Sequence, residues 1–143
     1  MKKKFVFSSE TCRLVEIRAA AREFFLENQL TEEAAATLIL AIDEACTNII
    51  RHAYQHRCRP LRITFERRRC HLRITLRDYG KNCAPSEIRG RALEDVRPGG
   101  VGVHIIRQVF DEVIYTPKPR GTELVLIKRI SASQEGLVDS PCP

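Results

Sequence analysis

The 143-residue sequence predicts an α+β domain, a two-layer α/β sandwich with helices on one face of a mostly antiparallel, mixed sheet. Three observations support this. Two stretches carry apolar residues at helical spacing near the N-terminus, two stretches in mid-chain alternate apolar and polar residues, and a further helix precedes two final alternating stretches.

The elements follow in order. Lys4 to Phe7 reads as a short strand. From about Cys12 to Leu26, Leu14, Ile17, Ala21, Phe24 and Phe25 recur at helical spacing, and Asn28 and Gln29 end that helix. Thr31-Glu32-Glu33-Ala34 reads as a helix start, with Thr31 as cap and acids in the first turn. This second helix is expected to run to about Tyr54, with Leu38, Ile42, Ala45, Cys46, Ile49 and Ala53 in one apolar arc facing the sheet. After a turn at Arg57 to Pro60, Ile63 and Phe65 alternate with Arg62, Thr64 and Glu66. Leu72, Ile74 and Leu76 alternate with Arg73, Thr75 and Arg77. An irregular segment runs from about Gly80 to Gly100, with a turn of helix near Ala92, and segments this long inside a compact domain often bind ligands. The third helix is expected after Gly102, carrying Val103, Ile106, Val109 and Phe110. The strands Glu112 to Thr116 and Thr122 to Lys128 follow, joined by Pro117-Lys118-Pro119-Arg120-Gly121.

Composition narrows the class. Hydrophobic residues are 43% and charged residues 29%, an ordinary globular balance. No apolar run approaches the roughly 20 residues that span a bilayer, and the basic N-terminus lacks the apolar stretch of a signal peptide, so a cytoplasmic location and no membrane contact are expected. The six cysteines form no C-x-x-C pair and read as free thiols, and His52 and His56 have no evident third metal ligand. Net charge is +6, with arginines at 57, 59, 62, 67, 68 and 69. Such a patch suits nucleic acid, an acidic protein or a nucleotide. With aromatics at 6% and no stacking motif, direct nucleic-acid binding is not expected.

Three features carry candidate chemistry. Glu44, Asn48 and His52 lie a turn apart on the edge of the second helix's apolar arc. Asp78 continues the core-facing phase of Leu72, Ile74 and Leu76, where a carboxylate needs a partner, and the exocyclic amine of adenine is one suitable donor. Gly80 follows it and permits close approach. Gly99-Gly100-Val101-Gly102-Val103-His104 precedes a helical pattern, where free backbone N–H groups attract phosphate, although neither a Walker A loop nor a dinucleotide fingerprint is present.

Taken together, Glu44-Ala45-Cys46-Thr47-Asn48-Ile49-Ile50-Arg51-His52-Ala53-Tyr54 resembles the N-box of the histidine-kinase-like (GHKL) ATPases. Asp78-Tyr79-Gly80 resembles their first glycine box, Arg97-Pro98-Gly99-Gly100-Val101-Gly102 the second, and Gly121-Thr122-Glu123-Leu124 the closing strand motif. The resemblance spans about Phe5 to Ile130, and the His-Ala-Tyr ending is similar to that of the RsbW/SpoIIAB-type anti-sigma-factor serine/threonine kinases.

It implies the Bergerat (GHKL ATPase) fold over 1–130, while the Ser-, Gly- and Pro-rich composition of 131–143 reads as a disordered tail. It implies ATP and Mg²⁺ as cofactors. Asn48 would hold the Mg²⁺ against the phosphates, and Glu44 would act as catalytic general base toward a serine or threonine of a partner. Asp78 would read the adenine amine, with Gly80 in the same turn and Thr122 near the adenine. Backbone amides of Gly100, Val101, Gly102 and Val103 would meet the phosphates, Arg97 would contact them, and Gly80 to Gly99 would form the ATP lid.

The implied partner is an anti-anti-sigma (STAS-like) protein, with a sigma factor as the alternative and a homodimer left open. The first box departs from Asp-x-Gly-x-Gly at Asn82, which bears on rate and affinity more than on fold. Retained Glu44 favours a kinase, and Asn82 leaves room for a catalytically weak, nucleotide-gated protein-binding module.

Overall fold

In the computed structural model, the described residues are 1–9, 13–55, 58–80 and 98–130, with the backbone alone described for 98–103. Five strands and three α-helices are found among them: β1 (Lys2–Ser8), α1 (Leu14–Glu27), α2 (Glu32–Asn48), β2 (Pro60–Arg67), β3 (His71–Arg77), α3 (Pro98–Val109), β4 (Glu112–Pro117) and β5 (Thr122–Arg129). The strand order is β1-β2-β3-β5-β4. Every pairing is antiparallel, so no parallel pair joins the sheet among the described strands. The reason is that β4 takes the edge and β5 returns as a hairpin between it and β3. The strand that would have lain parallel to β3 is thereby held one position away.

The five apolar positions that define α1 are its buried residues, Leu14, Ile17, Ala21, Phe24 and Phe25. Gln29, at φ 67, then turns the chain. Thr31 caps α2, its hydroxyl accepting the Ala34 N–H at 3.1 Å. β1 is longer than expected because Lys2 and Lys3 extend its pairing along β2, tied by ion pairs Lys2–Glu66 (3.7 Å) and Lys3–Glu27 (2.7 Å). Lysines on an edge strand also discourage pairing with other chains.

Two boundaries differ from expectation. The α-helical part of α2 stops at Asn48, and Ile49–Ala53 forms a π-helical turn closed by the Tyr54 N–H on the Ile49 carbonyl at 2.9 Å. Helix α3 begins at Pro98 rather than after Gly102. Proline's fixed φ suits the first helical position, so the glycines continue a turn that Pro98 starts. Among the described cysteines, Cys46 and Cys58 are thiols as expected, whereas Cys70 is disulfide-bonded, which corrects the expectation for that residue.

The core lies between the helices and one face of the sheet: α1 and α2 contribute Phe24, Phe25, Leu38 and Ile42, and the strands contribute Leu61, Ile63, Phe65, Leu72, Ile74, Leu76, Leu124 and Leu126. Phe65 is its aromatic centre, with ring centroids of Phe24, Phe5 and Phe25 at 5.3, 5.9 and 6.2 Å. Edge-to-face and tilted packing of this kind adds to plain burial. No helix among the described residues is long and apolar enough to cross a membrane.

Phe65 is fully buried at the contact of α1 with β2, so Phe65→Ala is expected to lower stability by about 3–5 kcal/mol. Urea unfolding checks this: the midpoint should fall with little change in slope. A loss within about 0.5 kcal/mol, as for a surface site, would contradict the packing described.

Candidate nucleotide site

Glu44 and Asn48 stand one turn apart on α2, both half-buried, at the end of the helix that faces the sheet with Leu38, Ala41, Ile42, Ala45 and Cys46. Asn48 is the last α-helical residue before the π turn, and its side chain makes no capping hydrogen bond. Its amide oxygen is therefore available as a ligand. π turns within helices recur at functional sites, because the wider turn repositions the side chains around it. His52 lies in the turn and is exposed.

Asp78 follows β3 and is 4% exposed. Its Oδ1 accepts the Gly80 N–H at 3.0 Å, and its own N–H donates to the Thr122 carbonyl at 3.0 Å. Burial pushes the carboxyl above the ordinary aspartate range. The backbone N–H groups of Gly80 and Thr122 and the Arg77 guanidinium pull it part of the way back. A carboxylate this dry gains from a further donor. Thr122, the first residue of β5, is also buried.

Two glycines make this packing feasible. A Cβ on Gly80 would lie 2.3 Å from the Ala53 carbonyl oxygen and 2.8 Å from the Tyr54 ring. Gly121, at φ +83, passes so close to Asp78 that a Cβ would lie 2.1 Å from the Asp78 carbonyl oxygen. The end of the N-box helix, the Asp78 turn and the start of β5 are thus pressed together without intervening side chains.

Tyr54 ties them by hydrogen bonds. Its buried hydroxyl accepts the Tyr79 N–H at 2.8 Å and donates to the Pro60 carbonyl. Burial raises the phenol's pKa, which keeps it protonated and able to donate. Arg77 adds a third tie, donating to the Asp78 carbonyl and, at 2.9 Å, to the Arg120 carbonyl.

The structure therefore brings Asp78, Gly80 and Thr122 into contact and docks them on the C-terminal end of the Glu44–Asn48 helix. Gly100, Val101, Gly102 and Val103 lie in the first turns of α3, which packs on α2. With Pro98 lacking an N–H, Gly99 and Gly100 carry the free amides of the first turn, while Val101 to Val103 fall where helical bonding begins. Arg97, Asn82, the expected turn near Ala92, nearly all of the expected lid and the 131–143 tail lie outside the described residues. Among the described residues no three of His, Cys, Asp and Glu gather to hold a metal. Tyr54, Arg77 and Gly121 also shape the site, beyond the residues that the sequence motifs point to. The Pro-Lys-Pro-Arg-Gly turn was a usable signal for Gly121, whereas the Tyr54 brace depends on a tertiary contact with no sequence period.

A five-stranded antiparallel sheet with three helices, and a buried aspartate just past the end of its central strand, gives an α+β sandwich of the GHKL ATPase-like type. The chain belongs to the histidine kinase-like ATPase domain family, whose model matches residues 7–128. It is similar to serine-protein kinase RsbW of Bacillus cereus (strain AH187) and of Bacillus anthracis, each 27% identical over 103 residues, 66% of this chain and 64% of the relative. The match thus spans somewhat under two thirds of those kinases' length. In fold it is similar to a chain of the SiaB–SiaC complex from Pseudomonas aeruginosa (TM-score 0.64, 16% identity, 86% of this chain and 88% of that chain). It is also similar to the histidine kinase domain of the Erythrobacter litoralis EL346 blue-light activated histidine kinase (TM-score 0.55, 18% identity, 82% and 59%).

Asp78→Asn keeps the oxygen that accepts the Gly80 N–H, gives up the contact with the Thr122 N–H, and removes the desolvated charge, whose burial is the larger effect. Because the folded pKa is raised, the carboxylate disfavours folding at neutral pH, and that penalty fades as pH falls toward the unfolded value of about 4. The nucleotide-free variant is expected to melt no lower than wild type at pH 7, with any advantage shrinking near pH 4. Thermal unfolding at the two pH values checks this, and a lower melting temperature at pH 7 would contradict it.

Proposed function

We propose that the chain is an ATP-dependent serine/threonine protein kinase domain that also acts as an anti-sigma regulatory factor toward an anti-anti-sigma-like protein partner. The observation that carries this is the dry Asp78 carboxylate, held by Gly80 and Thr122 against the helix that bears Glu44 and Asn48. That arrangement offers a hydrogen-bond acceptor to the adenine amine on one side and an unpaired amide and carboxylate for the phosphate end on the other. Membership of the histidine kinase-like ATPase family supports ATP use, and the similarity to RsbW serine-protein kinases supports transfer to a hydroxyl.

In this reading Asp78 and Thr122 would orient the adenine, while Asn48 would hold Mg²⁺. Glu44 accepts the proton of the attacking serine or threonine hydroxyl. The amides at the start of α3, with Arg97, neutralise phosphate charge. ATP, when bound, would supply the γ-phosphoryl group and leave as ADP. A sigma factor is the alternative partner, sequestered through surface contact that needs no proton transfer.

The second reading, a nucleotide-gated module that binds without transferring phosphate, draws on Asn82, which stands where the first glycine box usually has its last glycine.

Glu44→Gln is expected to bind ATP nearly as wild type yet phosphorylate the partner about 10²–10⁴-fold more slowly, while Asn48→Ala loses Mg-ATP affinity with the fold intact. Calorimetry with ATP and Mg²⁺, and a phosphotransfer assay on a partner that binds the chain, check both. Equal transfer by Glu44→Gln would remove Glu44 as base. No transfer by wild type to a partner it binds would favour the nucleotide-gated module.

A further inference from the structure

The outer face of the sheet, away from the helices, handles its charges differently at its two ends. At one end Glu66 pairs with Arg68 (3.1 Å), Lys2 (3.7 Å) and Arg73 (3.9 Å). At the other end Arg62 and Arg77 are direct cross-strand partners, like charges placed opposite each other. Such a pair is unfavourable unless something neutralises it. Both guanidinium groups lie over the ring of Tyr79, at 5.8 and 4.4 Å. Arg120 joins them, donating through Nε to the Tyr79 carbonyl at 3.2 Å. Glu123, the cross-strand partner of Arg77, is taken by Lys118 at 3.6 Å.

Elsewhere Arg13, Arg18 and Arg22 each have a carboxylate partner. Among the described residues, Arg59, Arg62 and Arg120 have no carboxylate in ion-pair range, and Arg77 has only the buried Asp78 carboxylate nearby.

Two of these arginines, Arg59 and Arg120, line a recess of about 180 Å³ together with Ala53, Tyr54, Gln55, Tyr79 and Gly80, while Arg62 and Arg77 lie behind it over the Tyr79 ring. The volume suits one small oxyanion group rather than a nucleotide. Arg59 and the Nη groups of Arg120 present the forked donors that match a carboxylate. None of Glu44, Asn48, Asp78 or Thr122 lines it, so it stands apart from the candidate nucleotide site while sharing the Gly80 turn as a wall. The Tyr79 ring carries Arg77 over its face, so it offers no open platform for a stacked base.

We propose that this arginine-rimmed recess is the docking point for a carboxylate side chain from an acidic segment of a protein partner, with Arg59 and Arg120 gripping the carboxylate and Arg62 and Arg77 supplying the surrounding field. The docking of one acidic side chain beside the Asp78–Gly80 turn relieves the Arg62–Arg77 juxtaposition and anchors the partner at the rim of the nucleotide site. It does not depend on the kinase reading, because the recess and its test involve no nucleotide.

The test uses the full chain without nucleotide, titrated at low ionic strength with three probes: a hexaglutamate peptide, inorganic phosphate and oligothymidylate. Backbone amide signals report the site. Hexaglutamate is expected to bind, with its largest shifts at Gln55, Tyr79 and Gly80. Arg59→Ala/Arg120→Ala should weaken it about tenfold, as for loss of a charge-assisted contact. Arg107→Ala/Arg129→Ala, which removes the same charge elsewhere, should leave it within about twofold of wild type. Largest shifts away from those residues in the wild type would overturn the proposal even if the double variant fails to fold. Equal weakening by the control pair, or tighter capture of phosphate or oligothymidylate than of hexaglutamate at these amides, would also overturn it.

Discussion

The site depends on one constraint, the accommodation of the Asp78 carboxylate at the dry end of β3. A desolvated carboxylate must be given donors, and this chain gives it the N–H of Gly80 two residues on and the neighbourhood of Thr122 across the sheet. Both require backbone to approach backbone closely. That explains glycines at 80 and 121, where a Cβ would collide with Ala53 and Asp78 respectively. It also explains Tyr54, whose hydroxyl satisfies the Tyr79 N–H and the Pro60 carbonyl in the same tight space. The rest of the fold, a sheet with its helices on one face and an aromatic centre at Phe65, holds these pieces in register.

The same constraint links the fold to the proposed chemistry. A carboxylate kept short of donors lowers the stability of the empty protein and raises the return on a ligand that supplies one. Stability and function pull against each other at such a residue. Asn48 stands at the junction of α-helix and π turn with a side chain that makes no capping hydrogen bond, and the proposed function uses that amide to hold Mg²⁺.

Much of this was legible in the sequence because it has a period. The buried positions of α1 and α2, the alternation of β2 and β3, and the place of Asp78 at the end of a core-facing row follow from spacing alone. The Thr31 cap follows from local side-chain chemistry. What was not legible depends on contacts distant in sequence. Nothing in Ile49 to Ala53 distinguishes a π turn from a continued α-helix, and the Tyr54 brace needs Pro60 and Tyr79 in place before its hydroxyl has partners. The start of α3 at Pro98 is masked by the glycines that follow, which favour loop, although proline at a first helical position is itself a start signal. The contrast between a charge-compensated and an uncompensated end of the sheet required the register that pairs Arg62 with Arg77.

The proposed reading of the adenine amine by Asp78 is tested most directly by calorimetry of ATP and GTP, each with Mg²⁺, on the wild-type chain. Guanine presents a carbonyl oxygen where adenine presents an amine, which sets two acceptors face to face in a buried site. Sites built on a buried hydrogen bond discriminate strongly against a base that leaves it unmade. The account predicts measurable ATP binding and GTP binding at least about a hundredfold weaker, an energy difference of about 2.7 kcal/mol. Equal affinities for ATP and GTP would contradict it.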